Sequence, residues 1–278
     1  MSSPPSTGGP APGPGNPAPG SQRAGSPAAD IQPAPRRGGL ARLVLLCGLA
    51  TVLVGAIVAI PAYLIARHIQ AQAPAQLPRV SGLPATVSTP LANLMSLSPL
   101  PRTAAPGFTL TDQHGHTLSL ASLHGKVVVL QFMDPHCTDI CPIVSQEYVR
   151  AYHDLGPLAS RVVFAAVNVN LYHAGVADMA EYSRAQGLTT IPDWHFFTGP
   201  AKDLKHVWGG YNIEVRAPSP DADVVHTSAV YFIDPSGRER YLATPMVDHL
   251  KSGTAYLPAG QIASWGHGIA LVARQLAS

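Results

Sequence analysis

Two cysteines at the junction of a strand and a helix constrain the fold of this chain more than any other feature. Residues 127–132 form a largely apolar run that predicts a buried β-strand. Cys137 and Cys141 follow it, and Pro142 comes directly after the second cysteine. Proline suits the first turn of a helix, where its missing N–H group is no loss. The sequence therefore predicts a strand, a loop that carries two thiols, and a helix that extends to about Leu155.

The position of the two thiols favours chemistry over simple packing. The dipole and the free N–H groups at a helix N-terminus stabilise a thiolate, so Cys137 or Cys141 should have a lowered pKa. Two helix residues four positions apart have their Cβ atoms about 5–6 Å from each other. In a disulfide the two Cβ atoms are only about 3.5–4.5 Å apart. A modest adjustment of the loop permits either a disulfide or two thiolates on one soft metal ion. A static structural disulfide is the third alternative.

Strand and helix patterns alternate over the C-terminal part of the chain, which predicts an α/β layered sheet. A strand that leads to a cysteine pair at a helix N-terminus, with further strands downstream, is typical of the thioredoxin-like arrangement. The predicted elements are a hairpin over 108–120, strands over 127–132, 161–169, 194–197, 227–234 and 238–242, and helices over 142–155, 177–186, 202–208 and 260–276.

The N-terminal part has a different character. Residues 1–38 are dominated by Pro, Gly, Ser and Ala, and such a segment cannot bury enough apolar surface to fold, so we predict a disordered tail. Residues 43–66 contain no charged side chain, and this segment is long enough to form a membrane-spanning helix. We therefore predict a membrane anchor over 39–68. A cleaved signal peptide with its cleavage site at residues 71–73 is the alternative.

Charge and cysteine placement indicate the compartment. Arginines are concentrated before the apolar run, so the positive-inside rule predicts a cytoplasmic N-terminus and an exported C-terminal domain over 105–278, after a linker over 69–104. Cys47 lies in the predicted span, which leaves one cysteine pair in a compartment where disulfides persist. The net charge of +2 comes without a basic block, so nucleic-acid binding is not predicted.

Four segments together resemble the SCO/SenC family over roughly residues 105–245. They are APGFTLTDQ at 105–113, GKVVVLQF at 125–132, Cys137-x-x-x-Cys141-Pro142, and the run of twelve residues that begins with His226, HTSAVYFIDPSG. The three-residue gap between the cysteines and the histidine placed just before a predicted strand are the most diagnostic of these features.

The resemblance implies a thioredoxin-like domain on a single membrane helix in a bacterial cell membrane. It implies that Cys137, Cys141 and His226 bind copper as Cu(I) or Cu(II). Two thiolates and one neutral imidazole are a coherent ligand set for this metal. The implied function is that of a copper chaperone that accepts copper from a donor, and the single predicted membrane span is compatible with a monomer. The chaperone would pass the metal to the cytochrome c oxidase subunit that carries the dinuclear copper site.

Two enzymatic alternatives use the same cysteines as catalytic residues. Cys137 and Cys141 could reduce the copper-site cysteines of the oxidase as a thiol-disulfide oxidoreductase. A thiol peroxidase is less favoured, although Thr138 and Cys141 partly match the Thr-x-x-Cys pattern of peroxiredoxins. In that case His226 would have no role. Whether the protein is an enzyme is therefore left open.

Two further positions bear on the site. His136 adjoins Cys137 and is either a further ligand or, as we favour, a solvated loop histidine. The family commonly has an acidic run after the strand that ends here at residues 167–170, but this chain has Asn168 and Asn170. The role of that acid in supporting the site or in binding a partner is therefore uncertain in this chain.

Overall fold

The computed structural model describes residues 59–64, 67 and 81–278. The chain divides into two compact units, residues 1–73 and 74–278, and the described residues of the first unit are helical. The predicted disordered tail and most of the predicted membrane anchor lie outside the described residues. Within the described part of the chain, no helix is both long and apolar enough to cross a membrane. The anchor stays a prediction.

A mixed six-stranded sheet forms the centre of the second unit. Three of its strands run parallel, and the other three continue the sheet on one side in antiparallel pairs. In spatial order the strands are β1 (Ser98–Pro99), β10 (Glu239–Ala243), β9 (Val230–Ile233), β4 (Val127–Met133), β5 (Val162–Asn168) and β6 (Trp194–Phe197).

The central strands are buried on both faces, which explains their nearly continuous apolar sequence. In β4, Val127, Val129 and Met133 join the core on one face of the sheet. Val128 and Phe132 join the core on the opposite face. Because successive side chains of a strand point to opposite sides, one apolar segment supplies both cores and the domain has three layers.

Helices cover both faces of the sheet. One core takes residues from α1 (Thr89–Leu94), α2 (Ile140–Leu155), α3 (Val176–Ala185) and α5 (Ala259–Ala277). The other core takes residues from α4 (Ala201–Gly210) and from the hairpin of β2 (Thr109–Thr111) and β3 (Thr117–Ser119). The predicted helices and hairpin are confirmed, with shifts of one or two residues at their ends.

The linker predicted over 69–104 differs from the structure at its C-terminal end. Helix α1 and strand β1 belong to the domain, and Val87, Met95 and Leu97 are buried in the core. Met95 packs against Gly268 of α5, where a Cβ atom would collide with its sulfur. These contacts are with the far end of the chain, so the local pattern, rich in Pro and Ser, did not predict them.

The strand predicted over 227–234 is shorter than expected. The main-sheet strand covers Val230–Ile233, and His226 lies instead in β8 (Val225–His226). Strand β8 pairs with β7 (Val215–Arg216) outside the main sheet, with His226 opposite Val215. The histidine is therefore held by a small hairpin. A second small hairpin, β11 (Asp248–His249) and β12 (Ala255–Tyr256), follows β10.

Candidate metal centre

The loop between β4 and α2 carries both cysteines. Helix α2 begins at Ile140, so Cys141 is in its first turn. The N-cap residue Asp139 makes no side-chain capping bond, and the N–H of Cys141 donates to the Sγ of Cys137 at 3.4 Å. The first thiol thus accepts from an N–H group that a helix N-terminus leaves unpaired. The first of the two cysteines is therefore in contact with the helix N-terminus.

The two thiols are reduced and unequal. Cys141 is fully buried in the hydrophobic core, whereas Cys137 is half-buried. The hydrogen bond that the Cys141 thiol donates lowers the pKa of Cys137 to about 7, aided by backbone N–H groups. The same hydrogen bond and complete burial raise the pKa of Cys141 well above its ordinary value. One thiol is therefore ready to react at neutral pH, and the other holds its proton.

The surroundings of His226 favour a neutral imidazole. Burial lowers the pKa of its imidazole, so the ring favours the uncharged form that a metal requires. Its Nδ1 lies 3.0 Å from the carbonyl oxygen of Thr227. A carbonyl only accepts hydrogen bonds, so Nδ1 carries the proton and the lone pair is on Nε2. The hydrogen bond therefore fixes the tautomer that leaves Nε2 free for coordination.

Cys137 and His226 line the same cavity, which has a volume of about 620 Å³. Asp134 and residues 252–255 of the β11–β12 hairpin contribute to its walls. Cys141 lies beneath Cys137 and does not line the cavity. In the described part of the chain, the ligand atoms of the two cysteines and His226 do not all come within 4.8 Å of one another. The structure brings the predicted ligands to one place without closing them around a common point.

The SCO1/SenC family model matches residues 99–249, which is more than half of the chain. The chain belongs to the SCO1/SenC family. This confirms the resemblance of the sequence motifs to that family.

The mitochondrial SCO2 homologue of Bos taurus is 30% identical to this SCO1/SenC protein over 149 residues, 49% of this chain and 53% of the relative. The chain thus spans about half the length of the curated relatives it matches. A SCO1/SenC family lipoprotein from Bacillus anthracis aligns with a TM-score of 0.51 at 20% identity, over 65% of this chain and 98% of that chain. ScoI of Bradyrhizobium japonicum, solved with copper bound, aligns with a TM-score of 0.49 at 22% identity. This alignment covers 63% of this chain and 99% of that chain. The B. anthracis likeness confirms the α/β, thioredoxin-like fold.

Asn170 occupies a structural position beneath the cysteine loop of this SCO1/SenC protein. Its side-chain amide donates to the Asp134 carboxylate at 3.0 Å, and both residues are buried. The same oxygen of Asp134 accepts the N–H of His136 at 2.8 Å. A carboxylate at position 170 would face the Asp134 carboxylate and could not donate, so asparagine suits this contact. The departure from the family pattern thus acquires a physical reason.

Sequence reasoning missed two parts of the site. Asp134 directly follows β4, and a polar side chain at the end of a buried strand is a usable sequence signal for a site. The β11–β12 hairpin gave no signal, because it consists of two-residue strands and a polar turn. His249 of this hairpin lies 2.9 Å from the Asp139 carboxylate, measured from Nε2 to Oδ1, and so connects the hairpin to the cysteine loop.

Proposed function

We propose that this protein is an extracytoplasmic copper carrier that binds the metal through Cys137, Cys141 and His226. It would deliver copper to the cytochrome c oxidase subunit that carries the dinuclear copper centre. The observation that supports the proposal most strongly is that Cys137, which is in hydrogen-bond contact with Cys141, shares one cavity with the imidazole of His226. Membership of the SCO1/SenC family supports the same conclusion.

The chemistry of the three side chains fits copper as cargo. Thiolates and an imidazole are soft or borderline ligands, a set that favours Cu(I) over the hard cations. Binding requires Cys141 to lose its proton although burial opposes this, so the metal must supply the stabilisation and affinity should fall in acid. His226 lies on a two-residue strand and lines the same cavity as Cys137.

The setting of the carrier is also a proposal. The charge-free run at 43–66 and the arginines before it support a single membrane helix with the N-terminus in the cytoplasm. The copper domain would then face the outside of a bacterial membrane as a monomer. It would receive copper there from a separate donor and meet the oxidase subunit through the open side of the cavity.

Replacement of His226 by alanine tests the metal-ligand assignment. We expect the reduced protein to bind one Cu(I), and His226→Ala to weaken binding more than tenfold, about 1.4 kcal/mol. The measurement is a competition titration against a chromophoric Cu(I) chelator. His206→Ala is the matched control, because His206 is an exposed histidine on α4, outside the cavity. Equal affinities for the His226→Ala variant and the unaltered protein would overturn the role of His226 as a ligand.

Thiol-disulfide exchange is a second candidate function, favoured by the inequality of the two thiols. The Cys137 thiolate would attack a substrate disulfide and form a mixed disulfide, releasing one substrate thiolate. Cys141 would then lose its proton and attack the Cys137 sulfur, which releases the second substrate thiolate and leaves the protein oxidised. The substrate gains the two electrons that the cysteine pair loses, so the step balances for a single turnover.

The exchange reaction makes a separate prediction for the pH dependence of Cys137. We expect its alkylation by iodoacetamide to reach half of its maximal rate near pH 7, following its lowered pKa. In Cys141→Ala the midpoint should move upward, since the hydrogen bond that contributes most to the lowering is lost. Single-turnover reduction of a model disulfide should fail in Cys137→Ser and persist in His226→Ala. A midpoint unchanged by Cys141→Ala would contradict the coupling of the thiols.

A further inference from the structure

Two histidines and one aspartate converge beside the cysteine loop but outside the copper ligand set. The rings of His136 and His173 stack with their centroids 3.5 Å apart and their planes 21° apart. The Nε2 of His136 lies 3.9 Å from an Asp178 carboxylate oxygen, and one ligand atom from each of the three residues lies within 4.8 Å of the others. Among the described residues, this is the one trio of His, Cys, Asp or Glu side chains with such spacing.

The two histidines come from separate loops that share one hydrogen-bond network. Asp134 accepts the N–H of His136, and Asn170 donates to the same carboxylate oxygen. The other atom of the Asn170 amide, its oxygen, accepts the N–H of His173 at 3.3 Å. One buried amide–carboxylate contact therefore holds the backbone of both histidines.

Asp178 is fixed independently of the histidines. Its Oδ2 accepts the N–H of Gly175 at 2.9 Å at the start of α3, which leaves Oδ1 directed to His136. The carboxylate is thus held by one oxygen and has the other available. This is the arrangement in which a hydrogen-bonded carboxylate presents a single ligand oxygen to an ion.

We propose that His136, His173 and Asp178 form a second metal site, for a divalent transition-metal cation such as Zn²⁺ or Cu²⁺. Two imidazoles and a carboxylate with an open side to solvent are a ligand set for these cations, whereas soft Cu(I) prefers the thiolates. Ligands about 2.0–2.2 Å from one ion are at most roughly 4.4 Å apart. The separation between His136 and Asp178 already meets this limit, and a small rotation of the stacked rings would direct both imidazoles to one point.

The second site is independent of the proposed copper-carrier function, although it lies next to it. His136 precedes Cys137 in sequence and borders the same cavity, while its ring stacks on that of His173 in the loop between β5 and α3. The inference therefore places a site for a borderline divalent cation beside a site for a soft monovalent one. Each site can be removed by substitutions that leave the ligands of the other unchanged.

Zinc binding by the full chain with both Cys137→Ser and Cys141→Ser tests the proposal, because this variant cannot hold the metal through thiolates. Titration with Zn²⁺ against a chromophoric chelator should find one site of 1:1 stoichiometry. We expect the affinity to fall more than tenfold in His173→Ala and in Asp178→Asn. An asparagine at position 178 keeps an oxygen that can accept the hydrogen bond from the Gly175 N–H, but it lacks the negative charge of the carboxylate. His206→Ala is the matched control and should leave the affinity unchanged.

The possible results separate the second site from the copper site. Circular dichroism of each variant establishes that the domain is folded before its affinity is compared. Zinc bound as tightly by His173→Ala and by Asp178→Asn as by the thiol-free parent would overturn the proposal. With the cysteines intact, Cu(I) affinity should be unchanged by Asp178→Asn, whereas His226→Ala should lower it.

Discussion

The substitution Cys141→Ser is expected to lower Cu(I) affinity more than about 100-fold. Loss of a residue that only hydrogen-bonds to a metal ligand costs about 10–100-fold, and loss of a ligand should cost more. Cys141 is the buried member of the pair and would supply one of two thiolates to the metal. A serine hydroxyl is a hard donor that stays protonated, so it replaces the shape of the side chain without its affinity for Cu(I). The expected loss therefore exceeds that for His226→Ala. The measurement is the same competition titration of the reduced protein.

Cys47→Ser is the matched control for this prediction, since it removes the third cysteine of the chain. It should leave Cu(I) affinity and the 1:1 stoichiometry unchanged. Thermal unfolding of Cys141→Ser shows whether the buried hydroxyl alone disturbs the core. Affinity retained within threefold in a folded Cys141→Ser protein would exclude Cys141 as a ligand and would leave Cys137 as the single thiolate.

Glu147→Gln is expected to stabilise the protein strongly at alkaline pH. Glu147 lies in α2 with about 1% of its surface exposed, and among the described residues its Oε2 has no hydrogen-bond partner. Burial raises the pKa of this carboxyl from 4.5 to about 8. The folded state therefore keeps a proton that the unfolded chain has released.

The direction of the pH effect follows from the proton count. Between about pH 4.5 and pH 8 the folded protein binds more protons than the unfolded chain, so stability falls as pH rises. At about 1.4 kcal/mol for each pH unit in this window, the free energy of unfolding declines by up to about 5 kcal/mol. Glutamine has a similar shape and carries no charge, so Glu147→Gln should match the unaltered protein near pH 5 and exceed it near pH 8.5.

Urea unfolding at pH 5 and pH 8.5 measures this difference. Glu181→Gln is the matched control, because it makes the same chemical change at an exposed position of α3. Its effect should be small and equal at both pH values. If the free energy of unfolding fell by the same amount from pH 5 to pH 8.5 in the Glu147→Gln variant and in the unaltered protein, the buried carboxyl would not be the source of the pH dependence.

The sequence determined the elements whose pattern is local. The apolar run of β4 predicted a strand buried on both faces. The segment from Cys137 to Pro142 predicted the N-terminus of a helix with a thiol beside it. In both cases the relevant energies come from residues within a few positions of one another: side-chain alternation in a strand and unpaired N–H groups at a helix terminus. The cysteine pair was therefore found without any knowledge of the tertiary structure.

His226 depended on the family resemblance, because one histidine before a strand is not diagnostic by itself. Its burial, its tautomer and its place on the cavity follow from the β7–β8 hairpin and the Thr227 carbonyl. The resemblance predicted which residue belongs to the site. The structure decided that this residue shares a cavity with Cys137, and that the side-chain ligand atoms of Cys137, Cys141 and His226 do not all come within 4.8 Å of one another.

The remaining features were decided by contacts between distant parts of the chain. Met95 is buried because α5, which lies far away in the sequence, packs against it at Gly268. His136 meets His173 and Asp178 because the parallel pairing of β4 and β5 puts the loops at their ends side by side. No local pattern encodes such neighbours, since their proximity arises only when the sheet forms. The sequence by itself thus determined the reactive groups and their local setting, and the tertiary structure determined which of those groups lie close together.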